Sequence, residues 1–396
     1  MKIMLANFAK MANDSGGLAK VTVAFANEMV RRGHEVLLAY MDENNGAFFY
    51  PIDETVKLNN LCWQQGRCVK FPLLMKLKRE ILRTFSAVKS RDVNDEYMQK
   101  YLMDEVRKIL GEFKPEIIIS SQPAASRLLL CDIGTAIPVI TMSHGDPEDY
   151  FHTYPKGELP ALGMSAACQV LLPSFAEPIK KRFPEEKVAV IGNVVPQYDE
   201  PADLAVEKSV HKIIFIGRLV KNHKRPHLLI SAFAKLADEF PDWSVELWGA
   251  DSNKVYTKSL KSLIADNNLT DRVFLKGVTK DIPQVLSKGD IFVLPSAYEG
   301  FGLSLAEGMS MGLPAVGYKN CAAVNELIVD GENGFLCDDG ANPLADALRK
   351  LMENRELRIQ MGKSARNSME KYSADNIWKQ WMQLINETVS GEKSND

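Results

Sequence analysis

Two glutamates separated by seven residues, Glu299 and Glu307, sit where an apolar run, Ile291 to Leu294, gives way to a glycine-containing loop and then to a helical pattern: Ser296-Ala297-Tyr298-Glu299-Gly300-Phe301-Gly302-Leu303-Ser304-Leu305-Ala306-Glu307-Gly308. A strand feeding a helix in this way leaves free backbone N–H groups at the helix start, here near Phe301 to Leu303, and these favour a phosphate. One carboxylate in the loop and one about two turns into the helix can each accept from hydroxyls, the first on a sugar and the second on a ribose. Alone, Glu307 would read as surface charge, but it stands among Leu305, Ala306, Met309 and Met311, a poor setting for a solvating group.

A second loop follows the apolar run Ile213 to Ile216. Gly217-Arg218-Leu219-Val220-Lys221-Asn222-His223-Lys224-Arg225-Pro226 places Arg218, Lys221, Lys224, Arg225 and a histidine at a strand's carboxyl end, ahead of an apolar helical run from Leu228. Gly217 allows close backbone approach, Arg218 can hold phosphate oxygens bidentately, and Lys224 acts as a point charge. Taken alone, the run is equally well explained by a solvated basic turn. Together with the Glu299 loop it suits a diphosphate.

Such loops need a scaffold of parallel strands. The chain opens as strand, glycine loop, helix, strand: Ile3 to Ala6, Asp14-Ser15-Gly16-Gly17, Ala19 to Arg32, His34 to Tyr40. Short apolar strands recur at Glu116 to Ile119, Pro138 to Met142, Gln169 to Leu172 and Lys187 to Ile191. After a polar, aperiodic stretch the pattern restarts at Lys212 to Ile216, Val245 to Trp248, Val273 to Leu275, Ile291 to Leu294 and Ala315-Val316. The expected class is α/β, with two doubly wound Rossmann-like domains, 1–198 and 211–374, joined by a linker at 199–210 and facing each other across a cleft that takes the ligand. An amphipathic pattern at 375–390, carrying Ile377, Trp378, Trp381, Met382, Leu384 and Ile385, is expected to cross back onto the first domain.

At roughly 150 residues per domain, a length of 396 residues allows two or three domains, of which two are expected. A net charge of -3 gives no global reason to expect nucleic acid, so anion binding must be local. Cys62, Cys68, Cys131, Cys168, Cys321 and Cys337 are scattered without a C-x-x-C pair, which reads as reduced structural thiols. No apolar run reaches the roughly 18 residues of a spanning helix, and the short run after Met1 does not imply export.

The blocks Gly217-Arg218 through Lys224, Glu299-Gly300-Phe301-Gly302 and Glu307 resemble the retaining GT-B glycosyltransferases of family 4, whose hallmark is two glutamates at this spacing. The resemblance spans almost the whole chain and is specific in its C-terminal half. There, Lys221 to His227 and Glu246-Leu247-Trp248-Gly249 look most similar to bacterial polysaccharide-assembly transferases of the amylovoran type. It implies a GT-B fold and a nucleotide-sugar donor, a UDP-sugar ahead of a GDP-sugar. It also implies a glycan or polyprenyl-diphosphate-linked saccharide acceptor, met in the cytoplasm or at the inner face of the cell membrane.

By position the resemblance assigns Arg218 and Lys224 to the leaving diphosphate, Glu299 to the donor sugar and Glu307 to the ribose. Gly249 resembles a strand-end glycine of the family, and Gly277-Val278-Thr279 the loop whose backbone holds the base. Gly16-Gly17 resembles a diglycine loop near the phosphates and acceptor, although such a pair is often just a turn. His144, in Ser143-His144-Gly145-Asp146, stands where the family often has a histidine beside the donor sugar; a histidine capping its own loop would look the same. Most members carry a glycine after the lysine, where this chain has Arg225-Pro226.

Many glycosyltransferases neutralise the diphosphate with a cation held by Asp-x-Asp, a motif this sequence lacks. Arg218 and Lys224 are expected to supply that charge, with no metal and no cofactor beyond the donor substrate. Retention, by front-face displacement with the leaving phosphate helping to deprotonate the acceptor, is implied by the resemblance.

From 67 to 91, Arg67, Lys70, Lys76, Lys78, Arg79, Arg83, Lys89 and Arg91 face a single acid, Glu80, and are interleaved with Phe71, Leu73, Leu74, Met75, Leu77, Ile81, Leu82 and Phe85. This suits peripheral contact with an anionic membrane; a core-packed helix with a solvated basic face has the same composition. Two other functions share the architecture: a non-hydrolysing sugar-nucleotide epimerase, against which the Glu299/Glu307 spacing speaks, and a catalytically silent donor-binding partner, which need not keep Arg218, Lys224, Glu299 and Glu307.

Overall fold

The central strands are short and buried on both faces, as where helices cover both sides of a sheet. In the computed structural model, which describes residues 1–251 and 253–391, the first sheet holds β1 (Lys2–Asn7), β2 (Glu35–Tyr40), β3 (Lys57–Asn60), β6 (Ile117–Ser120), β7 (Val139–Met142), β8 (Ala167–Val170) and β9 (Val188–Val190). A small hairpin, β4 (Trp63–Gln64) and β5 (Arg67–Cys68), stands apart from it. The sheet order is β3-β2-β1-β6-β7-β8-β9, all pairs parallel. Ile3, Met4, Leu5, Ile117, Ile118 and Ile119 are buried at its centre.

The second sheet holds β10 (His211–Ile216), β11 (Trp243–Trp248), β12 (Val273–Gly277), β13 (Ile291–Leu294), β14 (Ala315–Tyr318) and β15 (Gly334–Cys337), ordered β12-β11-β10-β13-β14-β15 and again all parallel. Each sheet therefore reverses its winding direction once, at β1/β6 and at β10/β13, as doubly wound sheets do.

The chain divides into two units, Met1–Gly192 with the segment from Lys379 onward, and Asn193–Trp378. The stretch 199–210 is tied into the second unit: Ala202 N–H donates to Met311 O (2.8 Å), Ala202 and Leu204 are buried, and Lys208 Nζ lies 3.0 Å from Asp290 Oδ1. The last helix, Ala374–Ser390, returns the chain to the first unit. Trp381 packs edge-on against Phe25 with ring centres 4.9 Å apart, and Glu387 pairs with Lys187 at 2.7 Å. The six cysteines are free, with Cys62, Cys168, Cys321 and Cys337 buried. Among the described residues no helix is long and apolar enough to cross a membrane.

Candidate active site

β10 and β13 lie side by side, Ile213 opposite Ile291 and Ile214 opposite Phe292. After β10 the chain turns toward β11, and after β13 toward β14, so the loops 217–225 and 295–302 diverge from the carboxyl edge at the winding reversal, where doubly wound sheets bind ligands. Arg218, Lys224 and Glu299 are thus brought to one place within the second unit, and Glu307 lies on the helix that follows the second loop.

Glycines let the strand ends approach. Gly217 N–H donates to Trp248 O (2.9 Å) and Gly249 N–H to Gly277 O (2.8 Å), which ties the ends of β10, β11 and β12 together. A Cβ on Gly249 would lie 1.9 Å from Gly217 O, so no larger residue fits without parting the strands. A Cβ on Gly217 would come within 3.2 Å of Lys224 Cδ; its absence leaves room for the lysine stem. Gly277 closes β12 at φ +75, and Val278 follows it exposed.

The residue that stands where the family usually has glycine behaves as a glycine in its backbone. Arg225 sits in the left-handed region, φ 48 and ψ 45. That geometry costs a non-glycine residue about 1–2 kcal/mol. The side chain offsets this by joining the two loops: Nε donates to Pro295 O (2.9 Å), Nη2 to Ser296 O (3.1 Å) and Nη1 to both oxygens of Asp339 (2.8 and 3.1 Å), with the guanidinium 4.9 Å from the centre of the Tyr318 ring. Charge-assisted bonds of this kind contribute roughly 1.5–3 kcal/mol each, enough to hold the strained turn. Ala297 N–H adds a second stitch, to His223 O at 2.8 Å.

At the junction Lys224 Nζ lies 2.5 Å from Glu299 Oε1, with both side chains largely buried. His223 stacks flat on Tyr298, ring centres 4.2 Å apart and planes within 2°, and its Nε2 stands 3.8 Å from the same Oε1. Burial pushes the His223 pKa down, with the Glu299 charge opposing and the Lys224 and Arg218 charges assisting. Arg218 is exposed, and its guanidinium forms no hydrogen bond or ion pair among the described residues.

The helix Leu303–Ser310 starts from Gly302 at φ +79, a conformation that suits glycine, without a side-chain cap. Its first backbone bond runs from Ala306 N–H to Gly302 O, leaving the N–H groups of Leu303, Ser304 and Leu305 outside the ladder. Phe301 anchors the turn, buried edge-on against Tyr372. Glu307 is buried on the next turn, and its charge adds to burial in raising the Tyr198 phenol pKa. Gly308 lets the helix lie against Phe292, where a Cβ would come within 2.5 Å.

The remaining expected residues belong to the first unit. Gly16 precedes the helix Gly17–Arg31, which has no side-chain cap, and its N–H donates to Asp14 Oδ1 at 2.8 Å. His144 follows β7. Its own N–H and that of Gly145 donate to Tyr150 Oη, so the turn is capped by the tyrosine and the histidine ring is left over. The ring's Nε2 is buried without a partner and faces a small pocket shared with Val21, Thr22, Phe25 and Met142. Burial lowers its pKa to about 4, so the ring is neutral near pH 7.

Sequence reasoning named Arg218, Lys224, Glu299 and Glu307 but missed the bracing role of Arg225 and the His223–Tyr298 stack. The available signal was position alone: each partner adjoins a residue already singled out.

Two family profiles match the chain in succession, Glycosyltransferase Family 4 over residues 15–197 and Glycosyl transferases group 1 over residues 197–368. A poly(ribitol-phosphate) alpha-N-acetylglucosaminyltransferase of Staphylococcus aureus is 32% identical over 210 residues, 52% of this chain and 41% of that protein. An exopolysaccharide phosphotransferase of Streptomyces coelicolor is 25% identical over 389 residues, 96% of this chain and 40% of that protein. The chain thus spans about two-fifths of the length of these curated relatives. Among solved structures, a variant of S. aureus TarM in complex with fondaparinux, alpha-GlcNAc-glycerol and UDP superposes with a TM-score of 0.74 at 18% identity, covering 97% of this chain and 99% of that one, which shows the shared fold.

Proposed function

Because this chain belongs to the GT-B glycosyltransferases of family 4, we propose that it moves a sugar, with retention and without a metal, from a UDP-sugar to a glycan or lipid-linked saccharide in bacterial surface polysaccharide synthesis. The observation that carries this reading is the meeting of Lys224, Glu299 and an uncapped helix start at the β10/β13 reversal. Arg218, Lys224 and the N–H groups of Leu303 to Leu305 face the charge that develops on the diphosphate, where preorganised donors act most strongly. Glu299 takes the donor sugar's hydroxyls and Glu307 the ribose. The bond from the anomeric carbon to the β-phosphate oxygen breaks as the acceptor oxygen attacks from the same face, and the departing phosphate accepts the acceptor's proton. His144, neutral and with Nε2 unpartnered, is assigned to a donor hydroxyl. Gly16 and Gly17 are assigned to the acceptor-side phosphates, and Gly249, Gly277 and Val278 to the nucleoside.

UDP in the TarM complex and the acceptor named for the staphylococcal relative support this choice of donor and polymer. Metal independence rests on the missing Asp-x-Asp. A nucleotide-release screen over sugar nucleotides in EDTA, with and without lipid-linked acceptors, tests the reading. Release of UDP from one donor supports it, while isomerisation of the donor sugar without an acceptor would identify an epimerase instead.

Membrane contact is a further part of the proposal. The helix Leu73–Phe85 has no buried residue, and Leu73 (81%), Leu74 (80%), Leu77, Ile81 and Phe85 (84%) form an outward apolar stripe. Lys78, Arg79 and Arg83 flank it in surface ion pairs that yield little stability and are easily exchanged. An exposed apolar face with basic flanks fits an anionic bilayer. Flotation with anionic vesicles and its loss in Leu74→Glu/Phe85→Glu support the contact; equal, negligible binding to anionic and neutral vesicles would exclude it.

A further inference from the structure

The pairing of Lys224 with Glu299 poses a problem for any anion that draws on the lysine. An ammonium 2.5 Å from one carboxylate oxygen commits one of its three donors to it, and a movement of Nζ toward a diphosphate would stretch that bond. Glu299, with 8% of its surface exposed, would then be left as a buried carboxylate short of a partner. A second donor stands ready on the same oxygen.

We propose that His223 is a positioning residue of the transfer site, which takes hold of Glu299 Oε1 through Nε2 as Lys224 turns to the diphosphate. This rests on the assignment of Lys224 to the diphosphate. Three observations carry it. His223 Nε2 is buried, has no hydrogen-bond partner and stands 3.8 Å from Oε1, one small side-chain shift from bonding distance. The ring is fixed in that direction by its flat stack on Tyr298 and by the bond from Ala297 N–H to the His223 carbonyl. The tautomer protonated at Nε2 donates to Oε1 without a change of charge, giving up the ring's bond to the Tyr298 backbone, so the step needs no proton from solvent. The carboxylate is thereby kept aimed at the sugar while the lysine serves the phosphate.

His223→Phe keeps a ring on Tyr298 and removes the donor; His223→Gln restores a donor without the ring. With the donor found by nucleotide release, His223→Phe is expected to lower kcat at least about tenfold, with the UDP dissociation constant changed less than about threefold, and His223→Gln to recover most of kcat. Retained UDP binding shows that both variants are folded. Wild-type kcat in His223→Phe, or a His223→Gln variant no better than His223→Phe, overturns the inference. A readout that needs no turnover uses UDP alone: in ¹⁵N-histidine NMR spectra the His223 Nε2 signal should move on saturation in wild type but not in Glu299→Ala. No shift in wild type contradicts the inference. Absence of nucleotide release from every donor, with that shift present, would count against the transferase reading while leaving the His223 contact supported.

Discussion

Lys224 Nζ and Glu299 Oε1 lie 2.5 Å apart at the carboxyl ends of β10 and β13, so the cation assigned to the leaving group and the carboxylate assigned to the sugar are bonded to each other. Removing either leaves its partner buried without its opposite charge. Lys224→Ala should destabilise the protein by about 3 kcal/mol, and Lys224→Ala/Glu299→Ala by less than the sum of the single changes. Urea unfolding of the four proteins measures the coupling; strictly additive effects would show that the pair contributes nothing.

Arg225 separates backbone strain from bracing. Arg225→Gly relieves the left-handed turn but loses the bonds to Pro295, Ser296 and Asp339, whereas Arg225→Ala loses the same bonds and keeps the strain. Arg225→Ala is therefore expected to be less stable than Arg225→Gly by about 1 kcal/mol. Thermal unfolding with Arg225→Ala equal to or above Arg225→Gly would contradict this.

Gly249 is tested by one methyl group. With its Cβ 1.9 Å from Gly217 O, Gly249→Ala must part the ends of β10 and β11. A loss of about 3 kcal/mol is expected, together with weaker UDP binding by calorimetry. A variant of unchanged stability would mean that the strand ends yield freely.

The first unit carries a pH signature. Asp95 and Glu158 are buried together, Arg127 Nη1 lies 2.7 Å from Asp95 Oδ2, and Glu158 Oε2 has no partner. Burial, then the Asp95 charge, raises the Glu158 pKa above the ordinary carboxyl range. The folded state thus keeps a proton that the unfolded chain has released, so stability falls as pH rises through that window. Glu158→Gln removes the penalty. Its stability relative to wild type should grow between about pH 5 and about pH 8 in urea unfolding; a pH-independent difference would contradict the shift.

The α/β alternation and the carboxyl-end loops could be read from the sequence because doubly buried strands leave apolar runs, and glycines mark the turns after Ile216 and Leu294. Glu299 and Glu307 were legible through spacing, since a strand, loop and helix in that order fix where each carboxylate falls. The pairing of Lys224 with Glu299 was not, because it depends on two loops 75 positions apart meeting at a winding reversal. Arg225 shows the same limit. Its replacement of glycine looks like a change of loop shape until the bonds to Pro295 and Ser296 show how the shape is kept. In the segment 67–91, composition fitted a packed helix and a membrane-facing one equally; over Leu73–Phe85 no residue is buried, while Met75 packs against the core.

The most direct test of the account is nucleotide release from the preferred UDP-sugar in EDTA, by wild type and by Lys224→Ala. Full wild-type activity in EDTA is expected, with kcat lowered about a hundredfold in Lys224→Ala. Wild-type activity abolished by EDTA and restored by manganese, with Lys224→Ala as active as wild type in that metal, would contradict it.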